Sequence, residues 1–283
     1  MLKHFVKYLW LREHLDDSEV FILDIRYQKN VLGYGRKVYE ESHIPGAEFL
    51  SWEDVFVKFE KYNEIVEALP SVENFEHVFS EIGFDKRQTL VLYGNSLREV
   101  ARAWFICKYM GIEKVKILEG GWEIWADKNG PIESFTPVKR PKTHFKSKLN
   151  KNMICDTECV LLKKDKDNVA LIDTRAHSQY VGEEEDLHSG HIEGARNYYW
   201  YRNLEIERDN TLLKHTQLEE IYRCLEDAEE IIVYSNSSIS ACVNYLGLEE
   251  LGYNVTLYLG GILKWRKHPE GKMKRGIDES MTF

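Results

Sequence analysis

Residues 234–242 read YSNSSISAC, a strand end passing through small residues into a helix. A loop of this kind gathers backbone N–H groups at the positive end of a helix, the arrangement that holds a small anion. Its first residue, Ser235, is a weak nucleophile unless a base stands beside it. The stretch SNSSIS contains no His, Lys or Arg to act as that base or to clamp a phosphate, so a hydrolytic or phosphatase-like use of Ser235 finds no support in the loop. Cys242 lies seven residues on, about two turns and roughly 10 Å along the following helix, where a buried core thiol is the expected role.

The elements that must position this loop come in duplicate. VFILDIR (20–26) returns as VALIDTR (169–175), SHIPGA (42–47) as SGHIEGA (189–195), LVLYGNS (90–96) as IIVYSNS (231–237), and KILEGGWEIW (116–125) as TLYLGGILKW (256–265). Asp24 to Asp173 is an offset of 149 residues and Trp125 to Trp265 one of 140, so the second copy is shorter by nine. A period this long, present twice, predicts tandem domains and not a solenoid. Three of the six prolines and a basic cluster fall in NGPIESFTPVKRPKTHFKSKLN (129–150), which reads as the connection. Domains are expected at 1–133 and 151–283, with a linker at 134–150 that packs along the surface through Phe135 and Phe145 and a boundary near residue 140.

Within each copy, short runs rich in Val, Ile and Leu alternate with helical periodicity, the pattern of βα units around a parallel sheet. REVARAWFICKYMG (98–111) predicts a helix with Ala101, Trp104, Phe105 and Tyr109 on its apolar side and Gly111 as its C-terminal stop. Ligands of open α/β sheets sit beyond the carboxyl ends of the strands, which singles out the loops at 94–99 and 235–240. The first of these, in YGNSLREVAR, has Gly94 where the second has Ser235, and Arg98 and Arg102 in it read as surface ion pairs with Glu99 and other acids. Asp24, Arg26 and His43 recur as Asp173, Arg175 and His191. Their presence in a copy without a nucleophile predicts structural duty at the strand ends. Gly120-Gly121 and Gly260-Gly261 are expected to form turns and not a phosphate cradle, because no phosphate-binding glycine pattern surrounds them.

Bulk properties bound the rest. A chain of 283 residues with 43% hydrophobic content can bury a real core. A net charge of −9 argues against a generic nucleic-acid or anionic-membrane surface, and no apolar run is long enough to span a bilayer. Five scattered cysteines, Cys107, Cys155, Cys159, Cys224 and Cys242, do not suggest a disulfide framework, and a reducing, cytoplasmic setting is expected. Cys155 and Cys159 read as two thiols on a helix, with no second pair to complete a metal site.

Asp-x-Arg after a strand, His-Ile-x-Gly-Ala about 18 residues on, a strand–loop–helix, then Leu-x-Gly-Gly-x-x-x-Trp, all twice, resembles the tandem-domain rhodanese family of thiosulfate and 3-mercaptopyruvate sulfurtransferases. The resemblance implies an α/β chain of two tandem rhodanese-like domains, each a mostly parallel sheet flanked by helices, with the active loop in the second. In that family a loop cysteine takes a sulfane sulfur from a small anionic donor, thiosulfate or 3-mercaptopyruvate, holds it as a persulfide and passes it to a thiophilic acceptor. No cofactor, metal, nucleic acid or membrane is implied.

On that pattern Ser235 stands in the slot of the nucleophilic cysteine, and Asn236, Ser237, Ser238, Ile239 and Ser240 form the anion-receptive loop. The resemblance also places two donor-binding arginines where this chain has Gln179, just before Tyr180, and His188, just before Ser189-Gly190-His191-Ile192. Asn236 replaces a common glycine. Oxygen cannot carry the exchangeable sulfur–sulfur bond on which persulfide chemistry depends, so the chain is expected to be inactive in transfer while keeping its anion-receptive loop. Two alternatives are an active sulfurtransferase whose loop cysteine has been exchanged for serine, and a non-catalytic binding or partner module. An exchange at 235 alone would leave Gln179, His188 and Asn236 unexplained.

Overall fold

The structure, a computed structural model, describes residues 2–59, 65–67, 69–135, 140–183 and 189–276. The chain divides into two compact units. The first comprises Met1–Ile65, Leu69–Asn150 and Glu205–Leu212, and the second comprises Val66–Ala68, Lys151–Leu204 and Leu213–Phe283.

In the first unit five parallel strands, β1 (Phe5–Val6), β2 (Val20–Asp24), β3 (Glu48–Phe49), β4 (Thr89–Tyr93) and β5 (Val115–Leu118), lie in the order β1-β5-β4-β2-β3. In the second, β6 (Ile154–Cys155), β7 (Val169–Asp173), β8 (Ala195–Asn197), β9 (Glu230–Tyr234) and β10 (Val255–Tyr258) are ordered β8-β7-β9-β10-β6, the same arrangement read from the other edge. Register repeats as well, with Asp24 opposite Tyr93 and Asp173 opposite Tyr234. All five residues of β2 are buried, which is why VFILD is a continuous apolar run and not an alternating one.

Each core is closed by a tryptophan seven residues past the last central strand. Trp125 and Trp265 are fully buried, and their indole N–H groups donate to the carbonyls of Pro131 (2.8 Å) and Lys272 (3.0 Å). The helix predicted from REVARAWFICKYMG runs Leu97–Tyr109, and Gly111 follows it at φ +88°, a left-handed position suited to glycine. The helix is buried nearly all round, Arg102 included at 1% exposure, where its Nε donates to the Phe56 carbonyl (3.3 Å). The surface reading of Arg102 is therefore corrected: in a helix lying between other elements even the polar positions find partners indoors.

Of the expected linker, residues 136–139 lie outside the described residues. Beyond them the chain follows the first unit through hydrogen bonds from Thr143 N to Ser80 O (3.0 Å) and from Asn150 N to Tyr109 O (2.8 Å). Phe145 is buried among Phe75, Phe79 and Phe84. Phe135 does not share that role. It is 78% exposed, at φ +73°.

Candidate functional site

The repeated polar residues form the same scaffold twice. Arg26 grips Asp24 through its backbone N–H (2.9 Å) and two guanidinium bonds (Nε–Oδ2 2.9 Å, Nη2–Oδ2 2.7 Å), and Arg175 grips Asp173 in the same manner, with all four side chains almost fully buried. Burial pushes the Asp24 carboxyl up against the pull of its arginine. The spare guanidinium N–H donates to Ser42 O (2.6 Å) in one copy and Gly190 O (2.7 Å) in the other, anchoring the next turn. His43 stacks on Tyr39 (3.9 Å) and His191 on Tyr180 (3.8 Å), each with Nδ1 on that tyrosine's carbonyl. Burial pushes the His191 imidazole down, toward its neutral form. These groups hold strand ends together in both copies and have the structural duty expected of them.

On this scaffold the two strand-to-helix steps are registered by identical hydrogen bonds. Ile25 N donates to Tyr93 O (3.0 Å) and Thr174 N to Tyr234 O (2.9 Å). Trp122 N donates to Gly94 O (3.0 Å) and Ile262 N to Ser235 O (2.9 Å). Gly94 and Ser235 thus occupy one structural position. The second glycine of each pair lets the chain pass beneath it: a Cβ on Gly121 would lie 2.3 Å from the Gly94 oxygen and one on Gly261 2.0 Å from the Ser235 oxygen. Sequence reading found the glycine turns but not this close approach, whose signal was the glycine pair recurring with its second glycine 27 residues after Gly94 and 26 after Ser235.

The loop at 235–240 opens the helix Ala241–Glu250, which has no acidic residue in its first turn. Ser235 is 2% exposed, at the floor. Among the described residues, the N–H groups of 236–241 meet no protein acceptor, as expected of the orphan donors at a helix start. Ser238 makes the bend at φ +65°, a backbone conformation few non-glycine residues adopt, and its hydroxyl is turned inward to Tyr258 O (2.7 Å). Only its N–H remains to a ligand. Asn236, Ser237 and Ser240 are half-buried and Ile239 is buried. Cys242 is fully buried with its thiol on Ser238 O (3.2 Å), the core role expected of it.

Two further candidates lie outside this loop in the sequence. Gln179 lies exposed in the helix His177–Val181 that follows β7, neighbour of β9, and among the described residues its side chain makes no hydrogen bond. His188 lies outside the described residues. Cys155 ends β6 and only Cys159 is helical, in Thr157–Lys163, so the pair bridges a strand-to-helix turn. Among the described residues no group of three or more His, Cys, Asp or Glu could hold a metal ion, and no helix is long and apolar enough to cross a membrane.

In the first copy the step takes only residues 94–96 before Leu97–Tyr109 begins. Glu99, in that helix's first turn, is almost buried; the Ser96 hydroxyl donates to it, and Arg98 Nε donates to its Oε1 (2.9 Å). The Asn95 side chain accepts from Tyr27 N (2.9 Å). The Glu99 carboxylate thus engages the side chains of Ser96 and Arg98 beside the loop, and among the described residues the N–H groups of 95–99 meet no protein acceptor either.

A family model described as the rhodanese-like domain matches residues 8–128 and 156–268. The chain is 30% identical over 270 residues to a 3-mercaptopyruvate sulfurtransferase of Escherichia coli, covering 90% of this chain and 92% of that one. It is 27% identical over 273 residues to the sulfur carrier protein TtuD of Thermus thermophilus, covering 90% and 91%. The crystal structure of SseA from Escherichia coli, described with the rhodanese fold, superposes with a TM-score of 0.76 at 29% identity, covering 90% of this chain and 97% of that one.

Proposed function

The chain belongs to the rhodanese family, and from that premise we propose that its second domain is a sulfurtransferase domain that keeps the receptor for a small anionic donor and lacks the sulfur carrier. One observation carries this reading: Ser235 is buried at the start of a loop whose N–H groups at 236–241 have no protein acceptor among the described residues.

Such a loop serves a thiol in two ways. Its amides and helix terminus lower the pKa of a thiol at the first position and stabilise the persulfide anion that forms there. With Ser235 the electrostatic half of the device is intact and the chemical half is missing, because a hydroxyl is far less acidic than a thiol and forms no exchangeable sulfur–sulfur bond. Gln179 and His188, in place of the donor-binding arginines, weaken capture of thiosulfate or 3-mercaptopyruvate further. Cys242 does not substitute, since its thiol is buried and engaged. The protein acts as an anion-binding member of its family, in the cytoplasm, where its five free thiols stay reduced.

The test is a titration of the isotopically labelled protein with thiosulfate, alongside an assay of thiocyanate formation from cyanide. Saturable shifts at the amides of 236–241 with no thiocyanate support the reading. Unmoved amides, or brisk turnover, overturn it.

A further inference from the structure

The second unit holds a cavity with positively charged walls, which shares no residue with the loop at 235–240. Its volume is about 460 Å³, and its walls include Arg196, Tyr198, Tyr199, Arg202, Glu220 and Arg223. The site lies at the carboxyl end of the edge strand β8, between the Trp200–Asn203 turn and the helix His215–Tyr222. Among the described residues, the side chains of Arg202 and Arg223 have neither an ion pair nor a hydrogen bond, and Arg196 commits one N–H to the Cys224 carbonyl (3.0 Å). Glu220 is the one acid among the lining residues, so the walls carry a net charge of about two positives in a chain whose own net charge is −9. Arg202 and Arg223 are exposed, so an anion has access to both, and it would offset the like charge of the three arginines that line one concavity.

We propose that this cavity binds a small organic phosphate. A phosphate monoester dianion balances the charge of the walls, and its oxygens match planar guanidinium forks, which a single carboxylate would leave partly unused. The volume is that of a small-molecule pocket and exceeds the needs of a bare ion. Tyr198 and Tyr199 supply aromatic surface for the body of the ligand, and Tyr198 is held in place by stacking on Tyr222 (5.5 Å). The site goes beyond the anion receptor proposed for the loop, and it has a built-in reporter. Asn244, in the Ala241–Glu250 helix, donates through Nδ2 to Tyr198 O (2.9 Å) and Tyr222 Oη (3.0 Å), so a ligand against Tyr198 shifts the Asn244 side-chain amide.

The experiment titrates the full chain with phenyl phosphate, succinate and inorganic phosphate by calorimetry and by the Asn244 side-chain signal. The expected result is one saturable phenyl phosphate site, bound more tightly than either of the other two. Arg202→Gln and Arg223→Gln, which break no internal bond, should each weaken it by roughly five- to tenfold. Phenyl phosphate should leave the amide signals of 236–241 unmoved as it saturates, separating the site from the loop. The proposal is overturned if phenyl phosphate shows no saturation, if both glutamine variants bind it as the parent does, if saturation moves the amides of 236–241 and not the Asn244 side-chain signal, or if succinate or inorganic phosphate binds equally well.

Discussion

At the carboxyl end of its central strand the first unit takes residues 94–96 to reach the helix, and the second takes residues 235–240. The frames beneath are alike to the individual hydrogen bond, down to Trp122 N on Gly94 O and Ile262 N on Ser235 O. The difference lies in what meets the helix terminus. In the first copy Glu99, bonded by the Ser96 hydroxyl and the Arg98 guanidinium, puts a carboxylate of the chain in the first turn. In the second no acid follows and the amides of 236–241 stay open. One scaffold therefore carries two loops that differ in length and in whether an acidic residue lies in the first turn of the helix that follows.

The strongest way to break the claim of a shared scaffold is to remove an arginine from each copy. Arg26→Met and Arg175→Met each leave a buried carboxylate without its partner, and each should cost about 3–5 kcal/mol in urea unfolding. Unequal losses, with one near zero, would mean that the two frames do different work. Next in size, Gly261→Ala should cost roughly 2–3 kcal/mol, because its Cβ meets the Ser235 carbonyl and its φ is +51°. Circular dichroism melts of that variant beside Gly121→Ala compare the two close approaches directly.

A smaller effect sharpens the difference between the loops. Glu99→Gln removes the internal anion from the first copy at about 1–2 kcal/mol of stability, and it should create sulfate-dependent shifts at the amides of 95–98 that the parent lacks. If none emerge, the shorter loop is closed by geometry and Glu99 is incidental. The smallest effect is a pH dependence in the second unit. Burial holds the His191 imidazole below its ordinary value, so the unfolded chain binds more protons as pH falls. The associated stability is present above about pH 6.5 and is lost as pH drops below it. His191→Gln should flatten that decline in a series of thermal melts.

Much of this was legible in the sequence. The doubled Asp-x-Arg and His-Ile-x-Gly-Ala segments displayed both the tandem units and the duty of their polar residues, because a buried ion pair at a strand end must be spelled with those side chains. Continuous apolar runs such as VFILD marked the central parallel strands. Three features were hidden for physical reasons. Glu99 looks like any acid on a helix until burial shows it facing the loop. Ser238 at φ +65° carries no glycine to advertise its left-handed turn. The Glu205–Leu212 segment sits in the second copy by sequence yet falls in the first compact unit, which a linear repeat cannot display.

The central claim is that the second loop retains its electrostatics and lacks only a sulfur atom to act through. The most direct test is to incubate the parent and Ser235→Cys with thiosulfate or 3-mercaptopyruvate and weigh the intact proteins. The account predicts no added sulfur on the parent and one added sulfur on part of the Ser235→Cys population, with weak onward transfer to cyanide because Gln179 and His188 leave the donor poorly held. A sulfur adduct or turnover in the parent would contradict it, and so would a Ser235→Cys protein that acquires no sulfur from either donor.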